Sequence, residues 1–135
     1  GLIVGKAMSG AFLAHGYQAN KLIAFKNNGV MIHAMGKESA ARITLRSVDA
    51  LEKLAATIPP MAYDIENYAT LGLLSQLLDI ADPDKATPDD ISNVQNVVWQ
   101  NIQDARKEGV SLSNRLGAEN RASSQRVRQQ MRQEW

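Results

Sequence analysis

The feature that most constrains the fold is a regular apolar stripe between residues 37 and 58. Pro59 and Pro60 follow it, and proline neither donates a backbone hydrogen bond nor tolerates helical geometry in the residue before it. The pattern predicts an amphipathic helix ending at residue 58. Its apolar residues recur at intervals of three and four, the period of one helix face: Ala41, Leu45, Val48, Leu51, Ala55 and Ile58.

A second helix start is encoded by the run Thr87, Pro88, Asp89 and Asp90. Thr87 can cap the helix, Pro88 suits its first position, and Asp90 can complete a capping box near the positive end of the helix dipole. We therefore expect a helix from Thr87 to about Gly109. Its apolar stripe is Ile91, Val94, Val98, Ile102 and Ala105.

The rest of the chain also favours helices. Apolar spacing predicts helices over residues 2–14 and 61–81, a turn at 27–29, and a polar final helix that starts at Ser111 or Ser113. The apolar fraction is 44% and the aromatic fraction only 5%, which suits close helix packing. We predict an all-α fold, a helical bundle or an extended helical subunit of about five helices. It would comprise a helical core over 1–110 and a polar C-terminal helix over 111–135.

The sequence contains no recognisable catalytic signature. Without cysteine, disulfides, thiolate zinc sites and cysteine nucleophiles are excluded. His15 and His33 have no neighbouring ligand at metal-binding spacing, so we interpret both as structural or surface residues. Asp64 and Glu66 fall on different helix sides, and both the Gly-x-Ser-x-Gly turn and a phosphate loop are missing. We predict a non-enzymatic protein without a cofactor or metal.

Small residues in the first stretch predict an interaction surface. Gly1, Gly5 and Ser9 recur every four residues, which on a helix would let another backbone approach closely. The stretch is shorter than the roughly 20 apolar residues of a membrane span, but it could contact a membrane. Large aromatics can anchor interfaces. The predicted interface residues are Gly5, Ser9, Ala11, Phe12 and Trp135.

The C-terminal segment is rich in arginine and glutamine, which can bind phosphates or base edges. Glu119 and Glu134 dilute its positive charge, so a helix that is solvated or contacts a protein partner is the favoured interpretation and nucleic acid the alternative. The charge of the whole chain runs basic, acidic, basic, a pattern that is either a set of solvated faces or a means of setting register between copies or partners in an assembly. The candidate nucleic-acid contacts are Arg115, Arg121, Arg126, Arg128 and Arg132.

Two short runs near the start carry a family resemblance. The run Ala7-Met8-Ser9-Gly10-Ala11, then Gly16-Tyr17-Gln18-Ala19-Asn20, resembles the small internal virion proteins that short-tailed bacteriophages eject into the host envelope. That resemblance implies a structural subunit of a virion core or DNA-ejection apparatus, located in the virion or cell envelope. It would assemble with copies of itself and other subunits. The alternatives are a helical nucleic-acid-binding protein and a component of a bacterial secretion or conjugation system.

Overall fold

The computed structural model describes residues 1–111 and 113–135 and shows a mixed α/β fold. The prediction of an all-α fold is therefore wrong, because the described chain contains parallel strands as well as helices. The strands are β1 (Leu2–Ile3), β2 (Lys6–Met8), β3 (Ile23–Lys26), β4 (Met31–His33) and β5 (Gln76–Asp79).

The strands form two small parallel sheets. In the first sheet β3 lies between β1 and β5, with Ile3 opposite Ala24 and Phe25 opposite Leu78. The second sheet pairs β2 with β4. Because parallel neighbours cannot be joined by a tight turn, every pairing requires a long connection that carries helices. The chain thus alternates between the two sheets, and in the first sheet its strands are added in the order β1, β3, β5 from one edge to the other.

Among the described residues, four helices lie in the connections between strands and two follow the last strand. Two of them lead directly out of the second sheet: α1 after β2 and α2 after β4. The helices are α1 (Gly10–His15), α2 (Lys37–Thr44), α3 (Val48–Ala55), α4 (Ile65–Ala69), α5 (Pro88–Lys107) and α6 (Ala122–Glu134). Short 3-10 helices lie at Gly16–Gln18, Pro59–Met61, Pro83–Lys85, Ser113–Gly117 and Glu119–Arg121.

The core forms around the central strand β3. Val94, Val97 and Val98 of α5 pack against the buried cluster that includes β3, as do Leu71 and Leu73. Burial of these aliphatic groups supplies the main driving force for folding. The buried core residues are Ile3, Leu22, Ile23, Ala24, Phe25, Val30, Ile32, Ile65, Tyr68, Leu78 and Ile80.

Each of two predicted helices is replaced by a short helix together with one or two strands. Residues 2–14 form β1, β2 and only the six-residue α1, while 61–81 contain the short α4 and then β5. Strands of parallel sheets are buried on both faces, so their apolar residues form continuous runs rather than an alternation. Such runs also match a helical period, which explains both errors. The predicted turn at 27–29 is confirmed, with Gly29 N–H donating to Asn27 Oδ1 at 2.8 Å.

The stripe between 37 and 58 is helical but broken. It forms α2 and α3, and Leu45 at the end of α2 adopts a left-handed conformation with φ of 54°. The Ser47 side chain then caps α3 by accepting a hydrogen bond from Ala50 N–H at 3.1 Å. A serine cap supplies a competing local partner for the backbone, so the helix restarts here instead of continuing.

The helix predicted at Thr87 is confirmed. Thr87 Oγ1 accepts from the Asp90 N–H at 3.1 Å, and the Thr87 N–H donates to Asp90 Oδ2 at 2.9 Å. This is the reciprocal capping box that the four residues predicted. The final helix begins at Ala122 rather than at 111 or 113. The domain boundary between residues 110 and 111 stays a prediction.

Candidate functional site

The candidate site lies where β2 and β4 end side by side. Met8 is the register partner of His33, and each closes its strand. Ser9 follows β2 and caps α1, while Gly36 follows β4 and caps α2. In open parallel sheets, ligands bind outside the carboxyl ends of the strands. The carboxyl end of this sheet therefore carries His33 and the segments that lead into two helices.

Backbone N–H groups are available at this edge. The first N–H groups of a helix have no partner within it and carry a partial positive charge. Ser9 Oγ accepts from the Phe12 N–H at 3.1 Å, which leaves the N–H groups of Gly10 and Ala11 without that cap. A Cβ added at Gly10 would meet no heavy atom within 4 Å, so the space beside this backbone is open. Such donors can stabilise a negative oxygen.

His33 is held by two contacts. The Met35 N–H donates to its Nδ1 at 3.4 Å, and its ring stacks on the Tyr63 ring with centroids 4.0 Å apart and planes 9° apart. An imidazole whose Nδ1 accepts a hydrogen bond carries its proton on Nε2. Burial lowers the pKa of His33 below its ordinary value. At neutral pH the side chain is therefore an uncharged donor through Nε2.

Tyr63 is fixed against β4 by its backbone. Its carbonyl oxygen accepts from the Ile32 N–H at 3.3 Å, and Asp64 forms an isolated antiparallel bridge with Met31. The residue is only 8% exposed, yet its hydroxyl has no hydrogen-bond partner within the described chain. Leaving a buried hydroxyl unpaired costs about 1–3 kcal/mol. The Tyr63 hydroxyl is therefore an unused donor in the folded chain.

Lys37 adds a positive charge near the same ring. Its Nζ lies 5.5 Å from the centroid of the Tyr63 ring and 2.7 Å from Glu52 Oε1. The hydrogen bond with Glu52 raises the pKa of Lys37. Cations are attracted to the face of an aromatic ring, so this contact helps to orient Tyr63. The lysine is paired with a carboxylate and is not a free cation of the site.

Two cavities meet at Tyr63. One, of about 340 Å³, lies beside His33, and the other, of about 450 Å³, lies beside Lys37; both are lined by Leu51 and Tyr63. Cavities of this size fall at the lower end of the range for small-molecule sites. The first is lined mostly by apolar residues, together with His33, Tyr63 and Thr44.

The structure disperses the predicted interface residues of the first stretch. Gly5 connects β1 to β2, and its carbonyl oxygen accepts from the Met31 N–H at 3.4 Å. Ser9, Ala11 and Phe12 belong to the start of α1, so they lie at the candidate site rather than on one helical stripe. The prediction of membrane contact through an N-terminal helix has no structural basis, since residues 2–3 and 6–8 form strands. Whether these positions touch a partner stays a prediction.

The predicted arginine contacts separate into two groups. Arg115 donates hydrogen bonds to the carbonyl oxygens of Tyr17, Ala19 and Asn20. Its guanidinium group is therefore already bound within the chain. Arg121 is half-buried. Three others lie exposed on α6 and keep the nucleic-acid alternative as an untested prediction: Arg126, Arg128 and Arg132. Trp135 is fully exposed at the end of the chain.

Sequence reasoning missed the roles open to Gly10, His33 and Tyr63. His33 was interpreted as structural because no ligand stands near it in sequence, whereas the fold brings Tyr63 against it from 30 positions away. The sequence did contain one signal of a strand followed by a helix. A helix-capping residue, Ser9 or Gly36, stands after each of the two short apolar runs. Within residues 1–111 and 113–135, no cluster of three or more metal-ligating side chains occurs. No helix in that part of the chain is long and apolar enough to cross a bilayer.

Comparison with known proteins places these features in a family. The sequence profile of the malonate decarboxylase gamma subunit matches residues 1–135. A crystal structure of a Pseudomonas malonate decarboxylase hetero-tetramer in complex with coenzyme A contains a chain that is 55% identical, with a TM-score of 0.92. The match covers all of this chain and 51% of that one.

Two further relatives agree. The Pseudomonas malonate decarboxylase MdcD-MdcE hetero-dimer contains a chain 49% identical at a TM-score of 0.83, matched over 100% of this chain and 49% of its own length. The malonyl-S-ACP:biotin-protein carboxyltransferase of Malonomonas rubra is 34% identical over 82 residues, which cover 60% of this chain and 28% of the relative. The chain thus spans about half or less of the proteins it matches.

These findings overturn several expectations from the sequence. The resemblance to phage ejection proteins was wrong. The malonate decarboxylase gamma subunit profile matches residues 1–135, which include both runs that carried the resemblance. The predictions of a non-enzymatic virion or DNA-ejection component, and of a virion or envelope location, are wrong for the same reason. A secretion or conjugation component finds no support either. The chain belongs to the family of the malonate decarboxylase gamma subunit.

Proposed function

We propose that this chain forms part of a malonate decarboxylase subunit and that the carboxyl edge of β2 and β4 acts on a malonyl thioester. The observation that carries the proposal is the pairing of Met8 with His33, which brings the segments leading into α1 and α2 to the same end of the second sheet. Support for the substrate class comes from the coenzyme A complex of the relative that is 55% identical and from the relative named for malonyl-S-ACP.

The reaction needs stabilisation of one oxygen atom. When the bond between the carboxylate carbon and the α-carbon of a malonyl thioester breaks, CO₂ leaves and its electron pair passes to the α-carbon. That charge delocalises onto the thioester oxygen as an enolate, and the α-carbon then takes a proton to give the acetyl thioester. Donors that bind the enolate oxygen more strongly than the neutral carbonyl oxygen lower the barrier. The N–H groups of Gly10 and Ala11 are the candidate donors.

A matched pair of variants at Gly10 tests this role. Proline is tolerated at the first position of a helix, and Ser9 before it is already extended, with φ of −161° and ψ of 158°. Gly10→Pro therefore removes one N–H with little cost to the helix, whereas Gly10→Ala keeps that N–H and has open space for its methyl group.

The assay uses the full-length subunit assembled with its partner subunits, with malonyl-coenzyme A as substrate and released CO₂ as the readout. Removing one oxyanion donor lowers kcat by roughly 10²–10³-fold, and we expect that loss in Gly10→Pro relative to Gly10→Ala. Equal rates in the two variants would show that this N–H does not bind the enolate oxygen. Absence of CO₂ release from the unmodified complex would contradict the proposed function itself.

We also propose that the partners are other malonate decarboxylase subunits, as in the relatives solved as a hetero-dimer and a hetero-tetramer. Helix α6 supports this proposal, because Val127, Met131 and Trp135 are spaced four residues apart and all are exposed. An apolar stripe on a surface helix is typical of a contact with another chain.

A further inference from the structure

We propose that the corner between α2 and α3, residues 42–47 and here called the Leu45 corner, binds a partner subunit whose surface offers an apolar pocket rimmed by carboxylates. This inference rests on the proposed function, since the partner would be another subunit of the same decarboxylase complex. The corner would add a second contact to the one proposed for α6, and different residues carry it.

Leu45 is held in a conformation that brings no benefit within the described chain. Among the described residues it is the only one other than glycine with a positive φ, and its side chain is 94% exposed. The backbone imposes this conformation, because the N–H groups of Leu45 and Arg46 both donate to the Ala41 carbonyl oxygen as α2 ends. A strained residue that also exposes a large apolar side chain suggests a role outside the isolated chain. Burial of the leucine against another surface would offset the strain.

Apolar surface extends from Leu45 to its neighbours. Residues 42–47 are all exposed, and Ile43 is 69% exposed. Ile43 also lines the 340 Å³ cavity together with Pro60 and Met61. Aliphatic side chains offer no hydrogen bond to a phosphate or a base edge, so this surface favours a protein over a nucleic acid. The corner therefore presents an exposed leucine close to a recess, a shape suited to interlocking with another protein surface.

The charge of the Leu45 corner defines the chemistry of the partner. Arg42 and Arg46 are both exposed, and neither forms an ion pair with another described residue. Residues 39–48 contain no carboxylate. Arginine is enriched at protein interfaces, and its planar guanidinium group binds carboxylates through two hydrogen bonds. The complementary surface is therefore acidic around an apolar centre.

Three substitutions at Leu45 test the contact. The full-length subunit is assembled with the other subunits of the complex, and surface plasmon resonance measures association and dissociation rates. Leu45→Gly and Leu45→Ala both remove the side chain, so we expect the dissociation constant to rise about tenfold, mainly through faster dissociation. Leu45→Met keeps the apolar bulk and should bind like the unmodified subunit. Equal dissociation constants in all four proteins would overturn the proposal.

The stability of the unassembled subunit separates loss of contact from loss of fold. Leu45→Gly relieves the left-handed strain whereas Leu45→Ala keeps it, so only the glycine variant should melt at a higher temperature. Both should nevertheless assemble equally poorly. If Leu45 were merely structural, assembly would instead follow stability. A lower melting temperature of Leu45→Gly in the unassembled subunit would show that another part of the same subunit covers the leucine, which overturns the proposal.

The double variant Arg42→Gln/Arg46→Gln tests the acidic rim. Charges at the edge of an interface act mainly on the association rate, so we expect association several-fold slower and less dependent on salt. Val110→Ala is the control, because Val110 is also apolar and 92% exposed but lies after α5. An unchanged salt dependence in the double variant would overturn the assigned partner chemistry. Binding to phosphatidylserine vesicles that Leu45→Gly abolishes would make the corner a membrane contact and also overturn it.

The proposed function and the Leu45 corner fail in different ways. If the unmodified subunit assembles and its complex releases CO₂ from malonyl-coenzyme A while Leu45→Gly and Leu45→Ala assemble with unchanged affinity, only the Leu45 corner is wrong. Failure of the unmodified full-length subunit to assemble would contradict both.

Discussion

The guanidinium group of Arg115 donates a 2.7 Å hydrogen bond to the carbonyl oxygen of Tyr17, a residue 98 positions earlier in the chain. The same side chain also donates to the carbonyl oxygens of Ala19 and Asn20, just before β3. One planar cation therefore satisfies three carbonyl groups of the segment that leads into the central strand. It also ties the 3-10 helix Ser113–Gly117 to the core.

Arg115→Met is expected to lower the free energy of unfolding by about 2 kcal/mol, because hydrogen bonds to charged groups contribute about 1.5–3 kcal/mol and the carbonyl groups would lose their donor. Arg128→Met is the control, since Arg128 is exposed on α6 and should change stability by less than about 0.5 kcal/mol. Urea denaturation of both variants measures the difference. Equal stability would show that the Arg115 contacts contribute nothing net.

Leu45→Gly is expected to stabilise the protein. Leu45 has φ of 54° and is 94% exposed, so it bears the steric cost of the left-handed conformation without burying its side chain. After allowing for the greater freedom of glycine in the unfolded chain, we expect a gain of about 0.5–1 kcal/mol. Leu45→Ala keeps Cβ and should show no such gain. Thermal unfolding compares the two, and a loss of stability in Leu45→Gly would contradict this account.

His33 should make stability sensitive to acid. Burial lowers its pKa in the folded protein, whereas the unfolded chain takes up a proton near pH 6.5. Below that pH the unfolded state binds more protons, so this contribution to stability is complete above about pH 6.5 and is lost as the pH falls toward the folded pKa. Melting temperatures at pH 7.5 and 5.5 should therefore differ more for the unmodified protein than for His33→Gln. An identical difference in the two proteins would refute the assignment.

Met131→Glu should weaken assembly with partner subunits while leaving the fold intact. The side chain lies at the middle of the exposed stripe on α6, where a buried carboxylate in an interface would be costly. Gln129→Glu introduces the same charge on the opposite side of that helix and serves as the control. Co-purification and light scattering report assembly, and circular dichroism reports the fold. Assembly of Met131→Glu at the level of Gln129→Glu would rule out this stripe as a contact.

Local interactions could be predicted from the sequence. The capping box of Thr87 and Asp90 and the Asx turn at Asn27 each depend on groups within three positions, so the residues themselves contain the required information. Leu51 was correctly assigned to a buried helical face, because the period of α3 is regular enough to indicate it. These features depend on interactions between residues close in the chain, so the sequence alone was sufficient to predict them.

The tertiary structure determined which segments form strands and which residues meet at the candidate site. Runs such as Ile23–Phe25 suit a buried helix or a buried strand equally well, and only pairing with β1 and β5 selected the strand. The candidate site likewise depends on pairing, because Met8 and His33 become neighbours only when β2 and β4 join, and Tyr63 reaches His33 through its backbone bond to Ile32. Backbone hydrogen bonds between segments distant in the chain contribute a free energy that depends on the tertiary structure. A short stretch of sequence contains only one of the two paired segments, so it cannot show the pairing.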